Sequence, residues 1–142
     1  MNDNVFALLV HDQVEPFESL RRVLRELSVT TFSIGTCKQA KDLIRQCQPY
    51  IVFTESALAD GSWVSILEMA ESADVPVSVV VVGSHPDTHY YLSAMERGAY
   101  DFVAPPFEHE SLDFVVRSAA LNAHHRRQSL TMSATGRYPV VA

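Results

Sequence analysis

Asn4-Val5-Phe6-Ala7-Leu8-Leu9-Val10-His11-Asp12 is the stretch that decides the fold. Its apolar run shows no alternation, which marks a strand buried on both faces and therefore a sheet covered by helices on each side. From Glu15 the period changes. Phe17, Leu20, Val23, Leu24 and Leu27 recur at helical spacing and leave Glu18, Arg21, Arg22 and Arg25 to solvent. Pro16 suits a first helical turn, where its missing N–H would be unpaired anyway.

The alternation of strand and helix continues to the end of the domain. Val29 to Ile34 is β-branched and aromatic, a second strand closed by Gly35. A helix follows from about Lys38 to Cys47, with Ala40, Leu43, Ile44 and Cys47 on one face, and Pro49 stops it. Tyr50 to Thr54 reads as a third strand, leading into Glu55 and a loop that ends at Asp60-Gly61. Trp63, Val64, Ile66, Leu67 and Ala70 stripe a third helix. Pro76 to Val82, rich in Val, is the fourth strand, ended by Gly83 and Ser84. A fourth helix spans about Asp87 to Arg97, with Gly98 as its C′ glycine. Tyr100 to Ala104 is a short fifth strand. A last helix, about Glu108 to His125, turns Leu112, Val115, Val116 and Ala119 inward. Five such alternations with short connections predict a parallel sheet with helices on both faces, because right-handed crossovers leave few other solutions.

Composition bounds the rest. The chain has 142 residues, 47% of them hydrophobic, which is enough for one domain with a real core. No apolar run approaches the roughly 20 residues needed to cross a bilayer. Met1-Asn2-Asp3-Asn4 lacks the basic region of a signal peptide, so a cytoplasmic protein is expected. Cys37 and Cys47 lie on one helix, on the order of 15 Å apart, and read as buried or half-buried free thiols. His85 and His89 have metal-binding spacing, but Pro86 interrupts it and nothing completes a zinc set. The formal charge of −6 is uneven: residues 1–123 hold all 17 acidic residues against 8 Lys and Arg, while 124–142 hold three Arg and no acid. The His124-His125-Arg126-Arg127 cluster suits the dipole at a helix C-terminus and is too small a patch for nucleic acid. Direct nucleic-acid binding is therefore not expected.

In an open α/β sheet, ligands bind beyond the carboxyl ends of the strands. His11-Asp12, Glu55-Ser56, Gly83-Ser84 and Ala104-Pro105-Pro106 stand there, with Asp12 and Glu55 facing across a small acidic cleft. The sequence resembles the receiver domains of two-component response regulators, of the chemotaxis-regulator type. The likeness rests on the first strand ending in Asp12, on Pro49 to Glu55, on Asp60-Gly61 and on Val75-Pro76-Val77. Its most specific piece is Arg97-Gly98-Ala99-Tyr100-Asp101-Phe102-Val103-Ala104-Pro105-Pro106-Phe107. The resemblance implies a flavodoxin-like, doubly wound α/β fold with a five-stranded parallel sheet in the order 2-1-3-4-5. Residues 4–125 would form the receiver-like domain and 126–142 a C-terminal tail or the start of a linker.

A working receiver, as the family implies, transfers a phosphoryl group to an Asp at the end of the third strand. Mg²⁺ held by an acidic pair, a Lys after the fifth strand and a Thr or Ser after the fourth assist it. This sequence departs from that pattern. Glu55 occupies the acceptor place, His11-Asp12 keeps one carboxylate of the pair, and Pro105 replaces the Lys. Counting back from Gly98 puts Gly83 at the hydroxyl position, counting forward from Pro76 puts Val81 there, and Ser84 is adjacent. Phosphoryl transfer depends on positioning and charge neutralisation, so these losses are severe. The chain reads as a degenerate pseudo-receiver, not an enzyme, with no cofactor and with Mg²⁺ binding weak or absent. Asp12 and Glu55 would hold a divalent ion only through water. Glu55 is either a partial phosphate mimic, at about −1 against −1.5 to −2, or a solvated loop carboxylate.

The resemblance also implies a switch and docking face on the fourth helix, fifth strand and last helix, here with Tyr90, Tyr91, Met95, Phe102 and Phe114. Phe114 falls off the inward stripe and is expected to be exposed. Partners would be a histidine kinase, an effector or a second copy, the last giving a homodimer through that face. A cis bond is expected at Ala104-Pro105 or Pro105-Pro106, with the second preferred, as X-Pro bonds permit, and Trp63 should start its helix near the cleft. The alternatives are an orthodox receiver accepting a phosphoryl group at an atypical residue with Mg²⁺, and a flavodoxin-like cofactor binder. The second is opposed by a first loop that is neither Gly-rich nor hydroxyl-rich.

Overall fold

The computed structural model describes residues 5–135, with side chains described to Leu130. In chain order the elements are β1 (Val5–Val10), α1 (Phe17–Glu26), β2 (Val29–Ile34), α2 (Cys37–Cys47), β3 (Ile51–Glu55), β4 (Ala57–Leu58), β5 (Gly61–Ser62), α3 (Trp63–Glu71), β6 (Ser78–Val82), α4 (Thr88–Glu96), β7 (Asp101–Val103) and α5 (His109–Thr135). The main sheet has the order β2-β1-β3-β6-β7, and every pairing in it is parallel. Setting aside the two-residue strands β4 and β5, this is the expected order 2-1-3-4-5. The fold is the flavodoxin-like one.

The unalternating strands explain the two-sided packing. Ala7, Leu9, Ile51, Phe53, Val80 and Val82 face α1 and α5, while Leu8, Val10, Val52, Val79 and Val81 face α2, α3 and α4. Successive strand side chains point to opposite faces, so a strand apolar at every position fills both layers at once. Two buried polar side chains are satisfied locally: Thr54 donates to the Glu55 carbonyl, and Ser78 donates to the Ala119 carbonyl at 2.8 Å.

Several expectations need correction. The last helix does not stop near His125 but runs on to Thr135, so much of the expected tail is helical, and residues 136–142 lie outside the described ones. Arg126 and Arg127 are consequently mid-helix residues, and their charges meet loop carbonyls instead of a helix terminus. Arg127 donates to the carbonyls of Pro76 (2.8 Å), Pro49 (2.7 Å) and Gln48 (3.1 Å), and its guanidinium lies 4.4 Å from the centre of the Tyr50 ring. Arg126 donates to the Val77 carbonyl at 3.0 Å. Burial lowers the Arg127 guanidinium from its ordinary value. Cys37 is buried, but Cys47 is exposed, because the left-handed Gln48 ends α2 just beyond it. Pro16 is the N-cap of α1 and follows a cis Glu15–Pro16 bond. The loop after Glu55 forms the small β4–β5 hairpin, with Asp60 in its turn and Gly61 opening β5.

Candidate functional site

The carboxyl ends of β1, β3, β6 and β7 set the site. Glu55 is the last residue of β3, and its carboxylate is not left to solvent. Oε1 accepts the Asp12 N–H at 2.7 Å and, more loosely, the Gln13 N–H at 3.4 Å. The longer Glu side chain thus folds back over the β1–α1 loop and satisfies its first amides. Asp12 itself is exposed, and it meets Glu55 through its backbone.

His11 turns the other way. Its ring lies parallel to that of Phe17, with centroids 4.3 Å apart; Nδ1 donates to the Gln13 carbonyl at 2.7 Å, and Nε2 lies 3.3 Å from Ser33 Oγ on β2. His11 and Asp12 therefore do not converge with Glu55 as a ligand set. Among the described residues, no group of three His, Cys, Asp or Glu is placed to hold a metal ion.

Gly83 follows β6 directly, and its N–H donates to the Val103 carbonyl at 2.9 Å, so it stands at the strand end. Val81 is fully buried inside the strand. A Cβ at Gly83 would lie 2.5 Å from Phe102 Cζ, a distance that real Cβ atoms do not show. The Phe102 ring occupies the space that a side chain at position 83 would take. Phe102 is only 9% exposed, and its ring packs 5.2 Å from that of Tyr90. Tyr90 in turn lies 5.9 Å from Trp63. Burial raises the Tyr90 phenol, and a hydrogen bond with Ser56 opposes that shift. Trp63 begins α3 and donates its backbone N–H to the Ser56 carbonyl, so one aromatic chain links the β3 end to α4 and β7.

Ser84 is exposed, with its hydroxyl 3.2 Å from His85 Nδ1. The Pro105–Pro106 bond is cis, as expected from the sequence. Of the expected face, Tyr91 and Phe114 are exposed, Tyr90 and Met95 are half-buried, and Phe102 is buried. Asp60 belongs to the structure of the loops. Its two carboxylate oxygens accept the N–H groups of Cys37 (2.8 Å) and Lys38 (3.1 Å) at the start of α2. The Cys37 amide holds the Asp60 carboxyl below the usual range, while burial, reinforced by Asp60, pushes the Cys37 thiol up. This cap joins residues more than twenty apart, so no local pattern announces it.

No protein-family model matches the sequence. Curated relatives do. Over 111 residues the chain is 30% identical to the DNA-binding response regulator MtrA of Mycolicibacterium smegmatis, covering 78% of this chain and 48% of that protein. Over 104 residues it is 29% identical to the C4-dicarboxylate transport transcriptional regulatory protein DctD of Pseudomonas aeruginosa, covering 70% and 22%. The chain spans between about a fifth and a half of the length of such relatives. Among solved structures, the signal receiver domain of a Luxo repressor protein from Vibrio parahaemolyticus superposes with a TM-score of 0.74 at 21% identity, over 87% of this chain and 95% of that one. A beryllofluoride-activated NtrC4 receiver domain dimer gives 0.71 at 21% identity, over 83% and 98%. These structural likenesses carry the fold, and the relatives' names carry the family. The chain is a receiver domain of the two-component response regulator type.

Proposed function

We propose that this receiver domain signals through protein–protein contact that does not depend on phosphorylation. The observation that carries the reading is the Phe102 ring packed into the space above Gly83, at the position where the family has a hydroxyl side chain. With no side chain at 83 to move, the aromatic group of β7 packs into that space in the unmodified chain, and the face built on it is formed without a modification step. Two further features support the reading. Glu55 already spends a carboxylate oxygen on the amides of Asp12 and Gln13. Pro105 supplies no cation to a transferred phosphoryl group, whose charge must be neutralised for transfer to proceed.

On this reading Mg²⁺ is bound weakly or not at all, and the domain carries out no catalysis. It works in the cytoplasm, docking a histidine kinase or an effector on the face made by α4, β7 and α5. No helix among the described residues is long and apolar enough to cross a membrane.

The test is a titration with Mg²⁺ and beryllofluoride, read by Trp63 fluorescence and compared with an intact receiver under the same conditions. Trp63 touches the aromatic chain that reaches Phe102, so a rearrangement at the site changes its surroundings. No saturable change is expected. A saturable change would instead support a receiver that accepts a phosphoryl group at an atypical residue.

A further inference from the structure

The charge of the domain is divided between its faces. Helices α1 and α2 hold six of the eight Lys and Arg of residues 1–123, whereas residues 84–116 hold six acidic residues against Arg97 alone. That acidic stretch supplies α4, β7 and the first turns of α5. Two shallow cavities, of about 270 and 240 Å³, lie along β7 and share Phe102 and Ala104. Asp87 lines the first, Asp101 and Glu108 line the second, and no Lys or Arg lines either. Tyr91 forms part of one wall, and Leu92 and Phe114 are exposed nearby on α4 and α5.

We infer that this groove takes a cationic segment of another protein, one that sets a large apolar side chain against Phe102 with Lys or Arg beside Asp87, Asp101 and Glu108. The inference rests on the α4–β7–α5 face being the docking surface, as proposed above, and adds the chemistry of what docks. Charge argues against a second copy seated on the same face. A two-fold interface brings the same patch to itself, so the carboxylates of one groove would meet those of the other, and neither lining has a Lys or Arg to offset them. The basic α1–α2 side of a second copy is no better an occupant. An exposed apolar side chain does stand on that side, Phe32 of β2, but the cavity it lines holds Asp42 and no Lys or Arg, and Glu18 and Asp42 already pair with Arg21 and Arg45. A partner that combines both properties satisfies the groove, and neither face of this domain does.

A helical Leu/Lys peptide, titrated into the isotope-labelled chain, tests the inference by amide chemical shifts. Shifts should concentrate at Asp87, Tyr91, Phe102 and Glu108 and weaken several-fold at high salt. Asp101→Asn with Glu108→Gln should weaken binding at least tenfold; the Asn retains an oxygen to accept the Phe102 N–H that Asp101 now accepts. Glu68→Gln with Asp74→Asn, acidic residues outside both cavities, should leave binding unchanged. Equal binding of a Leu/Glu peptide, shifts spread over the acidic surface, or an unaffected groove variant would overturn the inference. So would a dimer seen by light scattering that the groove variant abolishes. The beryllofluoride titration is read separately: a response there removes the phosphorylation-independent reading while leaving the groove's preference to stand or fall on the peptide.

Discussion

The two ends of the sheet have been treated in opposite ways. At the carboxyl ends, where a receiver gathers charged groups, a glycine, a proline and an outward-turned histidine leave Glu55 bonded to two backbone amides. At the amino ends, Arg126 and Arg127 reach from α5 to the carbonyls of residues 48, 49, 76 and 77. The end expected to do chemistry is closed by packing, and the end expected to be inert carries the densest set of charge-assisted bonds. A family resemblance thus predicts the scaffold better than it predicts where that scaffold concentrates its interactions.

The sharpest way to break the comparison is at the amino ends. Arg126→Ala with Arg127→Ala removes several hydrogen bonds from charged donors and the contact with Tyr50, and should cost about 3 kcal/mol in urea unfolding. Amide exchange in α5 beyond Ala123 should quicken in the same variant. If neither changes, the clamp is a surface contact and the contrast between the ends disappears.

At the other end the expected effects are smaller. Gly83→Thr forces Phe102 from its place, and overpacking of this kind should cost about 2 kcal/mol, with a change in Trp63 fluorescence as Tyr90 readjusts. A variant as stable as the parent, with Phe102 unmoved, would contradict the packed arrangement described here. Glu55→Ala exposes the Asp12 and Gln13 amides to water, which replaces part of what is lost, so about 0.5–1 kcal/mol is expected in the same unfolding assay. Asp60→Asn tests a pH dependence. The Asp60 carboxyl is depressed in the folded state by the Cys37 and Lys38 amides, so its contribution is whole above the ordinary carboxylate range and is lost as pH falls through the depressed folded value. Acid unfolding profiles of parent and variant should therefore differ most at neutral pH and converge in strong acid.

The fold was legible because it is written in short-range pattern. Val5 to Val10 and Ser78 to Val82 announce two-sided burial, and Gly98 and Pro49 punctuate the helices. The identities at the site were partly legible in the same way: Glu55 and Pro105 can be read by position, while counting along the chain left Gly83 and Val81 open. Their arrangement was not. Whether Glu55 points to solvent or to the Asp12 amide depends on a loop 43 residues away, and His11 was assigned to a cleft that it leaves for Ser33 and Phe17. Past His125 the sequence shows no inward stripe, so periodicity ended the helix too soon. Arg126 and Arg127 extend it by bonds to loops some fifty and eighty residues earlier in the chain.

That extension hands on an angle as well as a distance. Each helical residue turns the chain by about 100° and advances it about 1.5 Å, so Thr135 lies roughly 12 Å beyond Arg127 along a bearing set where the guanidinium meets Pro76 and Pro49. One residue inserted after Arg127 would swing that bearing by about a quarter turn while leaving every contact of the sheet intact.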